Sequence, residues 1–462
     1  MVIFSIAVFV IIHFGIVYVY MKLTPSEYRL MEPGCLLFIV YLLLYPVRAI
    51  TLFFCNGENI HMADTLPALT FTAIYMLCYT LGASAAYGGN QKRVSVVSIS
   101  SKESKTLENS ISIDLLLWLV VVSFLIIIFY YGDYNFLGVK RLKDLYVSSI
   151  PNTILRMIWD LRFFALSLSL LFYLKYRHLK YGIIFLVLFF ETIISCLIST
   201  GKGDMVNLLI SYIVCSRIAG LKIKTRRIAL FTCFILLFSV YSYYIRFNTG
   251  IAEKRSRWNT EESYTQMSAI DWDRVKNQLK TITDAIFSRF NYLDGLTLAM
   301  SRDVSVEKTP YVFGSTVELV MFVPRFLFPD RPFYNFSMFT AKAVFKRPFT
   351  FLEMPVGRIG EAYLVLGWSG CFMGGFYGWL FTKIFLYFRN KNTLWSMAVY
   401  ILLLLGFILP DAYLLYKIRN SILELSLLWI WSKLPIERVV NNNRFVYRIS
   451  HIRQFPTKNL LC

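Results

Sequence analysis

Histidine is scarce in this 462-residue chain and acid is outnumbered: there are four histidines in all, and 28 Asp and Glu against 48 Lys and Arg. His13, His61, His178 and His451 are far apart, which argues against a His-centred nucleophile or a His-based metal site. The eight cysteines are scattered and most lie inside apolar runs (Cys35, Cys78, Cys196, Cys215, Cys233, Cys371), with no Cys-x-x-Cys. Neither a disulfide framework nor a zinc site organises such a chain. An internal repeat of the kind that marks many transporters is also missing. No Lys or Arg precedes the first apolar run, whereas Lys22 follows it directly. That polarity is wrong for a cleaved signal peptide, so a retained first helix with its N-terminus outside is expected.

What the chain has in quantity is apolar length. It is 57% hydrophobic, with a mean hydropathy of +0.55, far above a soluble domain. Runs of about 17–25 apolar residues cross ~30 Å of hydrocarbon, and backbone satisfaction makes each a helix. Eleven are expected: Val2–Tyr20, Gly34–Phe54, Leu66–Tyr87, Ile113–Tyr131, Ile154–Leu174, Tyr181–Ser199, Asp204–Ala219, Arg227–Ile245, Ile359–Phe385, Leu394–Leu409 and Ala412–Trp431. The fold class is therefore an all-α, polytopic transmembrane bundle.

Alternate loops carry the positive charge. Lys22 and Arg29, Lys92 to Lys105, Lys175 to Lys180, Arg217 to Arg227, Arg389 with Lys391, and the tail after Lys433 all fall on one side. Residues 55–64 on the other side have no Lys or Arg. The basic side is assigned to the cytoplasm. The net charge of +20 thus reads as a topology signal, reinforced by anionic membrane lipid, and not as a nucleic-acid signal. The organisation becomes helices 1–8 over residues 1–245, a large periplasmic loop at 246–357, helices 9–11 at 358–432, and a basic cytoplasmic tail at 433–462.

The large loop holds the functional expectations. From Asp271, the residues Val275, Leu279, Ile282, Ile286, Phe290, Leu293 and Leu296 recur on one helical face, with Arg289 near its edge. This predicts an amphipathic helix lying on the membrane or against the bundle. Further on, Pro324, Pro329 and Pro332 frame Arg325 and Arg331, reducing the freedom these side chains lose on gripping an anion. Arg358 and Glu361 share a face at the start of the ninth span, which is rich in glycine from Gly357 to Gly378. Close helix packing accounts for most of those glycines. Inside the apolar runs stand Arg48, Arg156, Asp160, Arg162 and Glu191, and Gly201-Lys202-Gly203-Asp204 makes a tight turn. A buried charge is costly, so each is either paired, as Arg48 with Asp160 or Glu191 would be, or faces a polar cavity. Arg48, Lys202, Arg246, Arg289, Arg325, Arg331 and Arg358 are expected to converge near the outer headgroup level, where a lipid diphosphate sits.

Three motifs bring a family with them: Ser199-Thr200-Gly201-Lys202-Gly203-Asp204, FVPRFLFPDRP (322–332) and VGRIGEAYLVLGWSG (356–370). In their order around the large loop the chain resembles the O-antigen polymerase (Wzy-type) family of oligosaccharide repeat-unit polymerases of the bacterial inner membrane. The back half carries the resemblance; the front half shares only its topology. Lys202 stands where such proteins commonly have Arg, which keeps the charge and loses the bidentate fork. The Arg-x10-Gly arrangement of some members is absent. The resemblance implies transfer of a growing glycan from undecaprenyl diphosphate to a new lipid-linked repeat unit, and a fold related to the GT-C glycosyltransferases. It also implies a flippase and a chain-length regulator as partners. Arginines take the charge of the leaving diphosphate, and Glu361 is the first choice of base, ahead of Glu318 and Asp411. No metal ion or cofactor is expected. The competing readings are a glycan ligase, whose outer loop usually brings a histidine, a lipid-linked oligosaccharide flippase, and a structural partner in polysaccharide export.

Overall fold

In a computed structural model, the chain is described over residues 2–25, 29–54, 64–88, 111–131, 134–135, 138–139, 150–199, 203–221, 226, 228–235, 237–238, 292–301, 357–391, 393–408, 414–433, 436–441 and 444–449. Helices dominate these residues. Two short antiparallel hairpins accompany them: β1 (Tyr134–Asn135) with β2 (Gly138–Val139), and β3 (Ile436–Asn441) with β4 (Arg444–Ile449). Among the described residues four helical stretches are long and apolar enough to cross a membrane: Phe4–Leu23, Pro33–Leu52, Thr65–Tyr87 and Gly357–Lys391, the last of which doubles back at Gly367–Gly370.

The first core joins α1 (Val2–Leu23), α2 (Pro33–Leu44), α3 (Pro46–Phe54) and α4 (Thr65–Tyr87) to three elements from the back of the chain. These are α10 (Tyr292–Ser301), α11 (Gly357–Leu366) and α12 (Cys371–Lys391). The run expected as one span from Gly34 to Phe54 is divided at Tyr45, because Pro46 has no N–H to continue the ladder. Parallel packing of α4 on α12 explains the glycine stripe. A Cβ on Gly374 would lie 2.4 Å from the Tyr75 carbonyl oxygen, and one on Gly378 would lie 2.1 Å from that of Tyr79. Only bare backbone allows this approach.

The second core is built from α5 (Ile111–Tyr131), α7 (Arg162–Tyr176), α8 (Leu179–Ser199), α9 (Gly203–Ile218) and α13 (Leu394–Ile408). Before it comes α6 (Ile150–Asp160), and α14 (Leu414–Lys433) follows it. The expected span Ile154–Leu174 is thus broken at Leu161. Of the expected eighth span, residues 228–235 are described and helical.

The largest departure from the sequence reading concerns the expected span Ile359–Phe385. It is two antiparallel helices. A single 3-10 turn, Gly367–Gly370, reverses the chain, and Gly367 takes φ +58°, a left-handed conformation that suits glycine. Gly370 lies against the Ala362 carbonyl, and the Arg358 guanidinium carbon is 5.6 Å from the Phe381 ring centroid. Twenty-three residues of straight helix would separate those two by about 35 Å. Beside α11 runs α10 in the same direction: Tyr292 meets Gly357 at one end, and Met300 with Ser301 meets Tyr363 with Trp368 at the other. Of the amphipathic stripe, Leu293 and Leu296 are buried against the bundle, and the part before residue 292 lies outside the described residues.

Candidate functional site

The two short helices begin deep in the first core. α4 has 23 residues, and Tyr75 stands near its middle. At that level the N-terminal turn of α11 places Arg358, which is 1% exposed and among the largest fully buried side chains of the described chain. Gly357 makes the entry possible, with φ +69°, and a Cβ there would come within 2.6 Å of the Tyr292 ring.

Arg358 donates from Nη1 to the Phe407 carbonyl at 2.7 Å, close to the end of α13, where the last carbonyls have no helical partner. Its guanidinium lies against the Tyr377 and Phe381 rings, at 5.9 and 5.6 Å. Nε and Nη2 are buried and donate to nothing among the described residues. Around the same charge stand Tyr41 of α2, Tyr75 and Tyr79 of α4 and Tyr377 of α12, all within electrostatic range of it. The Tyr41, Tyr75 and Tyr79 hydroxyls are buried without a well-directed hydrogen bond, although Tyr41 and Tyr75 approach each other edge-on at 6.3 Å. Glu361, one turn along α11 and half-buried, acts electrostatically on Tyr41, Tyr45 and Tyr377. Leaving buried donors unmade costs about 1–3 kcal/mol, more for a charged group, and native structures rarely keep such groups without a reason. Here the N-terminus of α11, an unfinished guanidinium and a ring of phenols all favour negative charge at one place.

Arg48 is in a different condition. Its Nε donates to Asp294 Oδ1 at 3.1 Å and its Nη2 to Oδ2 at 2.7 Å, a bidentate pair with each side chain 6% exposed. The pair ties α3 to α10. The partner is neither Asp160 nor Glu191, the acids that sequence suggested, because Asp294 sits in a segment that reads as part of an outer loop.

A second charged cluster lies in the other core. Arg162, at the start of α7, donates to Asp204 Oδ2 at 2.6 Å and packs its guanidinium carbon 4.1 Å from the Trp159 ring centroid. Trp159 Nε1 in turn donates to Glu191 Oε1 at 2.8 Å. Asp204 belongs to the first turn of α9, where a negative charge complements the helix N-terminus. The acid of the glycine turn is thus an ion-pair partner.

Lys202, Arg246, Arg289, Arg325 and Arg331 lie outside the described residues, as do Glu318, Asp411 and the Arg156 side chain. Two of the seven cations expected at the diphosphate, Arg48 and Arg358, thus lie among the described residues, on helices of one hydrophobic core. Asp294 and the inward direction of α11 were missed; the signals available were Asp294 on the apolar stripe and the Gly367/Gly370 pair. One sequence feature stands against metal independence: Asp271-Trp272-Asp273 is an Asp-x-Asp tripeptide in the large loop, also outside the described residues. Among the described residues no group of three or more His, Cys, Asp and Glu is placed to hold a metal ion.

Fold and site define a helical bundle with apolar helices of membrane-crossing length and, at the N-terminus of a short helix, a buried arginine incompletely bonded among the described residues. No family model, curated protein or solved structure matches the chain.

Proposed function

We propose that this chain is a multi-pass bacterial inner-membrane glycosyltransferase of the O-antigen polymerase type, related to the GT-C enzymes. It moves a growing glycan from undecaprenyl diphosphate to a new lipid-linked repeat unit at the outer side of the membrane. In this reading the chain crosses the membrane about eleven times, keeps its large loop in the periplasm and its tail in the cytoplasm, and works beside a flippase and a chain-length regulator. The observation that carries it is Arg358, whose buried Nε–H and Nη2–H groups have no partner among the described residues and suit two oxygens of a leaving diphosphate. Held in a water-poor site before the reaction, such donors stabilise charge that develops in the transition state. Glu361, one turn away, accepts the proton of the attacking sugar hydroxyl. Arg325, Arg331, Arg289, Arg246 and Lys202 complete the anion site from the loops, and Arg48 fixes α10 through Asp294.

The purified chain in liposomes with one lipid-linked repeat unit tests this. A polymerase yields a ladder of products from that single substrate, whereas a ligase or a flippase yields none. Glu361→Gln keeps the shape of the side chain and removes its basicity, so an inserted, folded variant that makes almost no ladder is expected. Absence of a ladder from the parent chain overturns the reading.

A further inference from the structure

At the far ends of α10 and α11, away from Arg358, the structure holds a cavity of about 200 Å³ lined by Asp64, Pro67, Met300, Ser301, Tyr363 and Trp368. It is smaller than the ~300–1,000 Å³ that encloses a drug-sized ligand, and fits one sugar ring better than an extended chain. Its lining is mixed in a particular way. Trp368 is 50% exposed, although it packs edge-on against Phe71 at 5.6 Å, so one surface of a large apolar ring stays open beside the cavity. Asp64 occupies the N-cap position of α4 but makes no capping bond with its side chain, leaving an exposed carboxylate for other donors. The Ser301 hydroxyl donates to the Leu298 carbonyl and keeps its acceptor lone pairs.

An open indole, a carboxylate and a hydroxyl around a small cavity match a pyranose. Its C–H face packs on the electron-rich ring, and its hydroxyls donate to the carboxylate. We propose that this cavity is a carbohydrate subsite that holds one sugar ring of the lipid-linked glycan above the anion site. The proposal rests on the polymerase reading for the presence of a glycan. Tyr363 of the cavity and Arg358 are five residues apart on α11, about 7.5 Å along the axis and on different faces, a rise short enough for one extended lipid-linked glycan to reach both.

Binding without lipid or diphosphate separates this subsite from the transferase reaction. The full chain in detergent is mixed with a panel of methyl glycosides (hexose, N-acetylhexosamine, deoxyhexose, hexuronate), and saturation-transfer NMR reads the contact. At least one glycoside receives saturation, and its affinity falls roughly five- to tenfold in Trp368→Ala and by a similar factor in Asp64→Asn. Trp368→Phe, which keeps a ring, retains most of the binding. Trp379→Ala, an exposed tryptophan elsewhere on α12, changes nothing and controls for general interfacial roles of indole. No transfer to any glycoside, or equal transfer in folded Trp368→Ala and Asp64→Asn, overturns the subsite. Glycoside binding by a chain that makes no ladder keeps the subsite and removes the polymerase; a ladder without glycoside binding does the reverse.

Discussion

The two cores of this bundle differ in how far they satisfy a buried arginine. In the second core Arg162 is neutralised: Asp204 takes one N–H group, Trp159 covers its face and Glu191 holds Trp159, while its buried Nε has no partner among the described residues. In the first core Arg358 is left more open, with one N–H on a backbone carbonyl and two buried donors unmet among the described residues. A closed cluster is what packing and neutralisation alone select. An open one costs stability and persists where something else is gained from it. Arg48 shows that the first core can close an arginine when structure asks for it, since Asp294 meets it bidentately. Of these three arginines Arg358 has the most buried donors unmet among the described residues, which is why the proposed function is built on it.

The largest effect comes from breaking a closed pair. Asp294→Ala leaves Arg48 charged and buried without a partner, and should cost about 3–5 kcal/mol. Thermal unfolding of the detergent-solubilised protein, followed by size-exclusion recovery, measures it. Arg48→Met with Asp294→Leu should recover most of the loss, because an apolar pair of similar volume removes the desolvation penalty as well. A double variant no more stable than Asp294→Ala would show that the pair has a role beyond neutralisation.

At the open arginine, stability and activity should part. Arg358→Met removes a charge with unmet donors, so the unfolding midpoint stays or rises, while transfer loses roughly 2–4 kcal/mol of transition-state stabilisation, a factor of ~30 to ~1,000. Arg358→Lys should be nearly as inactive, since an ammonium cannot present two parallel donors. Kinetics on lipid-linked substrate, run beside the unfolding curves, checks both. An active Arg358→Met would make this arginine no more than a cap on α13.

Arg162 predicts the converse at smaller size. Asp204→Asn keeps the shape and removes the charge of a partner that is 28% exposed, so a loss of about 1–3 kcal/mol is expected, with turnover per folded molecule unchanged. A large fall in turnover at normal stability would make the second cluster functional too and dissolve the contrast between the cores.

Much of this was legible beforehand, and the failures have physical causes. Long apolar runs fixed the helices: Thr65–Tyr87 and Leu394–Ile408 lie within a residue of where hydropathy puts them. Hydropathy does not register direction, so a run that doubles back at Gly367–Gly370 reads like one that goes straight. Arg358 was visible as a charge at the edge of an apolar run. Asp294 was not, because a carboxylate in a loop-like segment gives no sign that the segment returns to the bundle. Pairings between residues 246 apart in sequence are made by tertiary packing, and local pattern is silent about them.

The smallest expected effect lies at the seam where the two cores meet. Glu32 caps α2 by accepting from the Cys35 N–H at 3.0 Å, and also accepts from Thr382 Oγ1 of α12 at 3.1 Å. Beside it the Tyr400 hydroxyl of α13 donates to the Met31 carbonyl, joining the second core to the same turn. Burial pushes the Glu32 carboxyl above the ordinary carboxylate range, against the hydrogen bonds that favour its charged form. A folded-state pKa raised above the unfolded value means that the folded chain holds this proton more tightly. The associated stability is fully present below the unfolded pKa and is lost as pH rises through the folded one. Glu32→Gln keeps both acceptor contacts through its carbonyl oxygen only in part, so a net change within about 1 kcal/mol is expected at low pH. The difference should then move in favour of the variant as pH rises, because glutamine has no proton to lose. Unfolding midpoints of parent and Glu32→Gln from pH 4 to pH 8 measure it. Parallel curves would mean that Glu32 is not held protonated by burial, and that the seam between the open and closed cores carries a charge of its own.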